Sequence, residues 1–256
     1  MMENCEIFIG WDTFEQQAYK VAEGSIRRRA FRCPEIHKLD FRELVDKGLF
    51  YRKMGFTDKG ILWDEISQAP CSTEFAISRF LTPIISTKPW SLFVDCDIVC
   101  LEDIWDLFQY ADNRYAVQVV KHKMPMKANQ RFKMQGIEQT EYSRKNWSSV
   151  MLFNNHHPSN RRRLTVDLVN SIPGKHLHNF CWLADNEIGC LPHEWNYLVD
   201  VSPPTKSNPK IMHYTLGGPW LGKWEPRPSD KVWNEEFAII QGMINGEDDL
   251  QGEFPF

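Results

Sequence analysis

The chain has 256 residues, 42% of them hydrophobic and 25% charged, with a formal net charge of −4. That is the make-up of a globular domain. The slight acidity gives no ground to expect nucleic acid or an anionic membrane as partner.

No apolar run reaches the ~20 residues that a membrane-spanning helix needs, so no transmembrane segment is expected. The opening "MMENCEIFIGWD" lacks the basic stretch of a secretory leader. Seven scattered cysteines form no CxxC pair, which predicts neither a disulfide framework nor a zinc ribbon and points to a reducing, cytoplasmic setting. Cys5, Cys96, Cys100 and Cys190 fall in apolar surroundings, where the thiol is a small hydrophobe. The ten tryptophans read as core residues first and as ring-stacking surfaces second.

In chain order, "CEIFIG" is an apolar run that predicts a strand. The following segment places Phe14, Ala18, Val21, Ala22 and Ile26 at helical spacing, with Asp12 or Thr13 as N-cap and Arg27 to Arg29 in the last turn. "EIHKLDF" is a second strand, "STEFAISRFLTPII" a helix, "SLFVDCD" a strand, "DIWDLFQY" a short helix and "YAVQVV" a strand. The basic stretch from Lys121 to Lys133, with Met124 and Met126, has no periodicity and reads as a loop: a lid or acceptor contact, or more simply a solvated segment. "SSVMLFNN" is a strand and "HPSNRRRLTVDLVNSI" one helix. "LADNEIGCLPHEWNYL" is a loop into a short strand and a bend, "KIMHYT" a strand, and "KVWNEEFAIIQGMI" a closing helix. This alternation predicts an α/β fold, one domain over residues 1–256 with a mostly parallel central sheet.

Ligands of open α/β sheets lie beyond the carboxyl ends of the strands. That rule draws Gly10, Trp11, Asp12, Asp95, Asp97 and His213 into one crevice, provided their strands are parallel neighbours. Asp95 and Asp97 are two like charges at the end of an apolar strand, an arrangement that costs desolvation and repulsion unless a cation sits between them. Hard oxygen ligands suit Mg²⁺ or Mn²⁺, and an added imidazole favours Mn²⁺. The plainer alternative is a solvated strand end.

Each remaining candidate has two readings. His213 is a metal ligand or a buried, hydrogen-bonded histidine, and Gly217 and Gly218 after it mark a turn where backbone approaches a ligand closely. Arg79 is an anion clamp, a brace for the aspartates, or a surface charge with a buried stem. Lys223 reaches a phosphate or is simply solvated. Asp185, Asn186 and Glu187 bond sugar hydroxyls or face a cationic transition state, or they are a polar loop. The His156-His157 and His176-x-His178 pairs read as surface.

Taken together, the order of motifs resembles family eight of the glycosyltransferases, the glycogenin and bacterial lipopolysaccharide galactosyltransferase group. "IFIGWDTFEQQAYKVAEGSI" is similar to that family's opening strand and helix, and "STEFAISRFLTP" to its "Y-x-R-x-x-x-P" helix, with Arg79 as the matching arginine. "LFVDCDIVCLEDIWDLF" resembles its DxD segment, "NWSSVMLFN" its "NAGVMLFN" strand, "IGCLPHEWN" its "LPxxWN" segment and "HYTLGGPW" its "HxxGxxKPW". The match runs from about residue 6 to 224, ahead of the closing helix at about 231–245.

The resemblance implies a GT-A fold, a nucleotide-sugar donor (usually UDP-linked), a hydroxyl acceptor such as a glycan, Mn²⁺ or Mg²⁺, and retention of anomeric configuration. By position, Asp95, Asp97 and His213 are the implied metal ligands, with Lys223 or Arg79 helping on the leaving diphosphate and Asp185, Asn186 or Glu187 on the sugar. The chain also departs from the family. Gly218 stands where the family has lysine, Asp185 to Glu187 where it has "DQD", and Trp147 where it has asparagine. These changes place it in a divergent branch, nearer bacterial or viral members than glycogenin. Two other readings compete: a non-catalytic nucleotide-sugar-binding protein on the same fold, and a DxDx[TV] phosphatase with Asp95 as nucleophile and Asp97 as acid/base.

Overall fold

The structure is a computed structural model that describes residues 4–58, 60–122, 132–133, 137–138, 144, 146–204 and 207–251. Its elements in chain order are β1 (Cys5–Gly10), α1 (Gln16–Arg29), β2 (Ile36–Leu39), α2 (Phe41–Asp46), β3 (Met54–Phe56), β4 (Leu62–Asp64), β5 (Ala69–Pro70), α3 (Thr82–Ile85), β6 (Trp90–Val94), β7 (Ile98–Cys100) and α4 (Trp105–Phe108). There follow β8 (Val117–Val119), β9 (Phe132–Lys133), β10 (Ile137–Glu138), β11 (Val150–Asn154), α5 (Pro158–Arg163), α6 (Val166–Ser171), α7 (Gly174–His178), β12 (Ile188–Cys190), β13 (Tyr197–Leu198), β14 (Ile211–His213) and α8 (Asp230–Gln251).

The central sheet runs β12-β8-β11-β6-β1-β2. All its pairings are parallel except those of β11, which lies antiparallel to both β6 and β8. The expected α/β fold with a mostly parallel sheet is therefore present. β6 sits in the middle, with Leu92 paired to Ile7 on one side and Leu152 on the other. Leu92, Phe93 and Val94 are fully buried, which is why this strand is a continuous apolar run rather than an alternating one. Burying each such side chain contributes roughly 1.5–3 kcal/mol. No helix among the described residues is long and apolar enough to cross a membrane.

Three expected elements differ. "SLFVDCD" is not one strand: β6 ends at Val94, and β7 starts at Ile98 in a second sheet of order β13-β14-β7. The expected helix over residues 72–85 is a 3-10 turn, Ser78–Leu81, leading into the four-residue α3. Pro83 has no N–H to give the Arg79 carbonyl, so the Thr82 N–H takes it at i→i−3 spacing. The expected helix from residue 157 to 172 is broken in two at Leu164, because the Thr165 hydroxyl caps α6 by accepting from Leu168 N at 3.1 Å.

Residues 41–70, for which no element was expected, form α2 and the antiparallel β3-β4-β5 meander. The meander is fastened by Arg52, whose guanidinium meets both oxygens of buried Asp64 at 2.8 and 2.6 Å. Cys190 is exposed rather than in an apolar setting, because it ends β12 at the edge of the sheet. The basic stretch read as a loop lies mostly outside the described residues.

Candidate metal and nucleotide site

Asp95-Cys96-Asp97 is the turn where the chain leaves the central sheet for the side sheet. Its first residue is held by Asp95 N donating to Ser149 O at 2.9 Å. Beyond it, β7 pairs antiparallel with β14 in a register that sets His213 opposite Ile98, and Tyr214 N donates to Asp97 O at 2.8 Å. His213 thus arrives from a different sheet than Asp95, not from a parallel neighbour of β6. Its Nε2 lies 3.1 Å from Asp97 Oδ1 and 3.9 Å from Asp95 Oδ2. Ligand atoms of the three residues all fall within 4.8 Å of one another, and all three residues are buried.

The group fits a divalent cation. Two carboxylates and an imidazole converge, and His213 Nε2 is buried without a hydrogen bond. Its other nitrogen, Nδ1, is 2.9 Å from Asn196 Oδ1. A second acidic group, Glu6, Glu35 and His37, also gathers near the start of β1. There Glu6 Oε1 accepts from Thr87 N and Lys88 N at 2.6 and 3.2 Å, which makes Glu6 an anchor for the turn before β6.

Arg79 settles among its three readings as a brace. Its Nη1 meets Asp95 Oδ1 at 2.7 Å and Ser148 O at 2.9 Å. The guanidinium lies 5.0 Å from the ring centroids of Phe75 and Phe93. Ser149 and Ser148 thus give their carbonyls to Asp95 and to its brace, and Ser148 Oγ meets His178 Nδ1 at 2.7 Å. His178, expected at the surface, is tucked against Phe80. Trp147 sits between two cations, with Lys121 Nζ and the Arg144 guanidinium 5.6 and 5.5 Å from its ring.

Beside Asp95, β1 ends at Gly10, where a Cβ would come within 2.4 Å of the Phe75 ring. Trp11 packs edge-on to Tyr19. Asp12 is buried and accepts from Phe14 N at 2.8 Å and Glu74 N at 2.9 Å, tying the loop after β1 to the segment before Arg79. It does not cap α1, which starts at Gln16. A shallow open cleft lies here, lined by Asp12, Phe14, Glu15, Phe56, Glu74 and Leu221 among others. Phe14 and Phe56 are exposed at it.

The turn after His213 explains a departure from the family pattern. Gly217 has φ +99°, a conformation that favours glycine. At Gly218 a Cβ would come 2.1 Å from the Trp220 ring, so a lysine here, as in the family-eight pattern, would require that ring to shift. Trp220 Nε1 donates instead to Glu15 Oε1 at 3.3 Å. Lys223 is exposed in the same loop.

Asp185, Asn186 and Glu187 form a 3-10 turn at the amino end of β12, the edge strand three positions from β6. Asp185 is 91% exposed and pairs with Arg144. Glu187 accepts from Ser159 Oγ and, at 2.8 Å, from Ala184 N. The structure does not bring these residues to the aspartates.

Two buried groups beside the site escape the sequence reading. Glu15 accepts from Cys96 Sγ at 3.1 Å, directly behind the paired aspartates. Burial first, then the charges of Asp97 and Asp12, push its carboxyl up to about 8. His122 lies just past β8, buried, with no hydrogen bond at Nε2. Burial, then His213 and His193, lower it to about 3. Its position three residues past a strand, at the sheet's carboxyl edge, is the signal that could have singled it out.

No protein-family model matches the chain. Over 237 residues it is 40% identical to Protein CDI of Arabidopsis thaliana, covering 90% of this chain and 85% of that protein. A plant protein thus stands where the motif departures point to bacterial or viral members.

Among solved structures, the apo form of glycosyltransferase GlyE from Streptococcus pneumoniae superposes with a TM-score of 0.57 at 15% identity, over 96% of this chain and 63% of that one. The bifunctional glycosyltransferase WbbM gives 0.55 at 15%, over 91% and 49%. Galactosyltransferase LgtC, solved with donor and acceptor sugar analogs, gives 0.51 at 13%, over 93% and 95%. The chain therefore spans less than two thirds of GlyE and WbbM. These likenesses are of fold, and the fold is GT-A.

Proposed function

We propose that this chain, which belongs to the family of the Arabidopsis thaliana Protein CDI, is a metal-dependent glycosyltransferase. It moves a sugar from a nucleotide-sugar donor, UDP-linked, to a hydroxyl acceptor with retention. The observation that carries this reading is the buried convergence of Asp95, Asp97 and His213 at the carboxyl edge of a GT-A sheet. Fold likeness to GlyE, WbbM and LgtC supports it.

In the reaction, the bond from the anomeric carbon to the donor diphosphate breaks, a bond to the acceptor oxygen forms, and the acceptor hydroxyl's proton passes to the departing diphosphate oxygen. Asp95, Asp97 and His213 Nε2 would hold Mn²⁺ or Mg²⁺, which when bound supplies a Lewis acid for the charge on the departing diphosphate. Arg79 pairs with Asp95 and aims it. The loop after β1, with Gly10, Trp11 and Asp12, and the cleft beside it, which Asp12 lines, receive the nucleoside. Lys223 takes the diphosphate contact that Gly218 lacks. Asp185 pairs with Arg144 and Glu187 bonds Ser159 and Ala184, so their contacts lend no support to a role for Asp185, Asn186 or Glu187 in the step.

The test is calorimetry of a nucleotide-sugar panel with and without Mn²⁺, followed by donor consumption. Metal-dependent binding of UDP-sugars and turnover lost in Asp97→Ala support the enzyme. A donor bound but never consumed with any acceptor points to a non-catalytic binding protein.

A further inference from the structure

A neutral imidazole carries one proton on two nitrogens, and which nitrogen is bare decides whether it can ligate. His213 Nε2 faces the aspartates, so ligation requires the proton on Nδ1. Nδ1 lies 2.9 Å from Asn196 Oδ1, its hydrogen-bond partner.

We propose that Asn196 is a positioning residue: its side-chain carbonyl holds His213 as the Nδ1–H tautomer and so presents a bare Nε2 to the cation site. This rests on reading Asp95, Asp97 and His213 as a metal centre.

The assignment follows from counting protons. Asn196 is fully buried, and the other end of its amide lies 2.9 Å from Ser149 Oγ and 3.4 Å from Asn146 O. Asn146 O is a carbonyl and can only accept. Ser149 Oγ has one proton and donates it to Asn146 O at 2.9 Å, so toward Asn196 it too must accept. The amide group facing Ser149 is therefore NH₂, and the group facing His213 is C=O. A carbonyl only accepts, so Nδ1 must be the donor. The ring then turns a lone pair toward Asp97 Oδ1 at 3.1 Å, an arrangement that repels until a positive charge lies between them.

The relay is built from the same backbone as the site. Asn196 ends the 3-10 turn His193–Asn196 and leads into β13, whose Leu198 pairs with His213. Ser149 accepts from Asp95 N at its carbonyl and from Asn196 Nδ2 at its hydroxyl oxygen. Asp95, Ser149, Asn196 and His213 thus form one hydrogen-bonded chain that joins two of the three ligands.

The experiment pairs Mn²⁺ titration of the full chain by calorimetry with ¹⁵N NMR of the histidine rings in metal-free protein. The ¹⁵N shifts of His213 are expected to report the Nδ1–H tautomer in the parent protein and a mixture in Asn196→Ala. Mn²⁺ affinity in Asn196→Ala is expected to fall about 10- to 100-fold, the usual effect of losing such an outer partner. Asn196→Asp, which offers an acceptor at the same place, is expected to keep Mn²⁺ affinity and the tautomer. Ser149→Ala, which frees the amide to turn, is expected to show an intermediate loss.

An Nε2–H tautomer in the parent protein overturns the proposal, as does undiminished affinity in Asn196→Ala. Should Asn196→Ala fail to fold, the Asp and Ser149 variants decide, and loss of the tautomer in Asn196→Asp counts against it. If the parent protein binds no Mn²⁺, the metal-centre reading fails, while the ¹⁵N shifts still test the tautomer.

Discussion

Arg79 Nη1 meets Asp95 Oδ1 at 2.7 Å with both side chains buried, so the arginine nearest the paired aspartates is already committed to one of them. Removing one member of a buried pair leaves an uncompensated charge, here next to a second carboxylate. Arg79→Gln is expected to lower stability by roughly 3–5 kcal/mol in denaturant melts. Asp95→Asn in that background removes the stranded charge and should recover part of the loss, a coupling that a double-mutant cycle measures. Equal stability of Arg79→Gln and the parent protein would show that the guanidinium is a free anion clamp after all.

The Trp220 ring occupies the space a side chain at Gly218 would need. Gly218→Lys, which places there the lysine of the family-eight pattern that the sequence resembles, should therefore destabilise the protein, because overpacking typically costs about 1–3 kcal/mol. It should also separate Trp220 from Glu15, visible as a change in tryptophan fluorescence. Combining it with Trp220→Ala opens the space, and the pair is expected to be less destabilised than the sum of the singles. Additive losses would mean that the clash at Gly218 does not exist.

Much of the fold and part of the candidate site were legible because strands buried on both faces are written as plain apolar runs. β1, β6, β8 and β11 announce themselves so, and Asp95 stands just past the end of β6, where such a sheet displays ligands, while His213 reaches it from the side sheet by a pairing the rule does not foresee. The β3-β4-β5 meander was not legible: its strands are two or three residues long and half-exposed, too short for a period to register. The Ser149–Asn196–His213 relay joins residues far apart in sequence, and no spacing rule reports such contacts. The contacts of Asp185 to Glu187 were not legible for the opposite reason. A polar triplet looks the same whether its carboxylates face a sugar or, as Glu187 does, bond Ser159 and Ala184.

Glu236 on α8 receives Arg28 and Arg29 of α1 at 2.8 and 2.7 Å and is itself buried. Burial alone would raise its carboxyl, but hydrogen bonds from Arg29 and then Arg28 more than reverse that, and the group is held below the usual carboxylate value of 4.5. A depressed acid stabilises the fold fully above its unfolded value and loses that contribution as pH falls through the folded one. The docking of α8 on α1 is therefore expected to weaken below about pH 4.5. Thermal melts of the parent protein against Glu236→Gln check it: the variant should be less stable at pH 7 and the gap should close toward pH 3. A gap independent of pH would assign the loss to packing alone.

Glu15 has the opposite sign. Burial, then Asp97 and Asp12, raise its carboxyl to about 8 from 4.5, so the folded protein holds a proton there that the unfolded chain has released. Between these values the folded state binds more protons, and stability falls as pH rises from about 4.5 through about 8. Glu15→Gln removes that titration while leaving an oxygen to accept from Trp220 or Cys96. With a chelator present to keep the aspartates metal-free, the variant should match the parent protein near pH 5 and exceed it by pH 9. The readout is the melting temperature of each across that range. Parallel curves would mean that Glu15 is ionised throughout and that its charge is compensated within the fold.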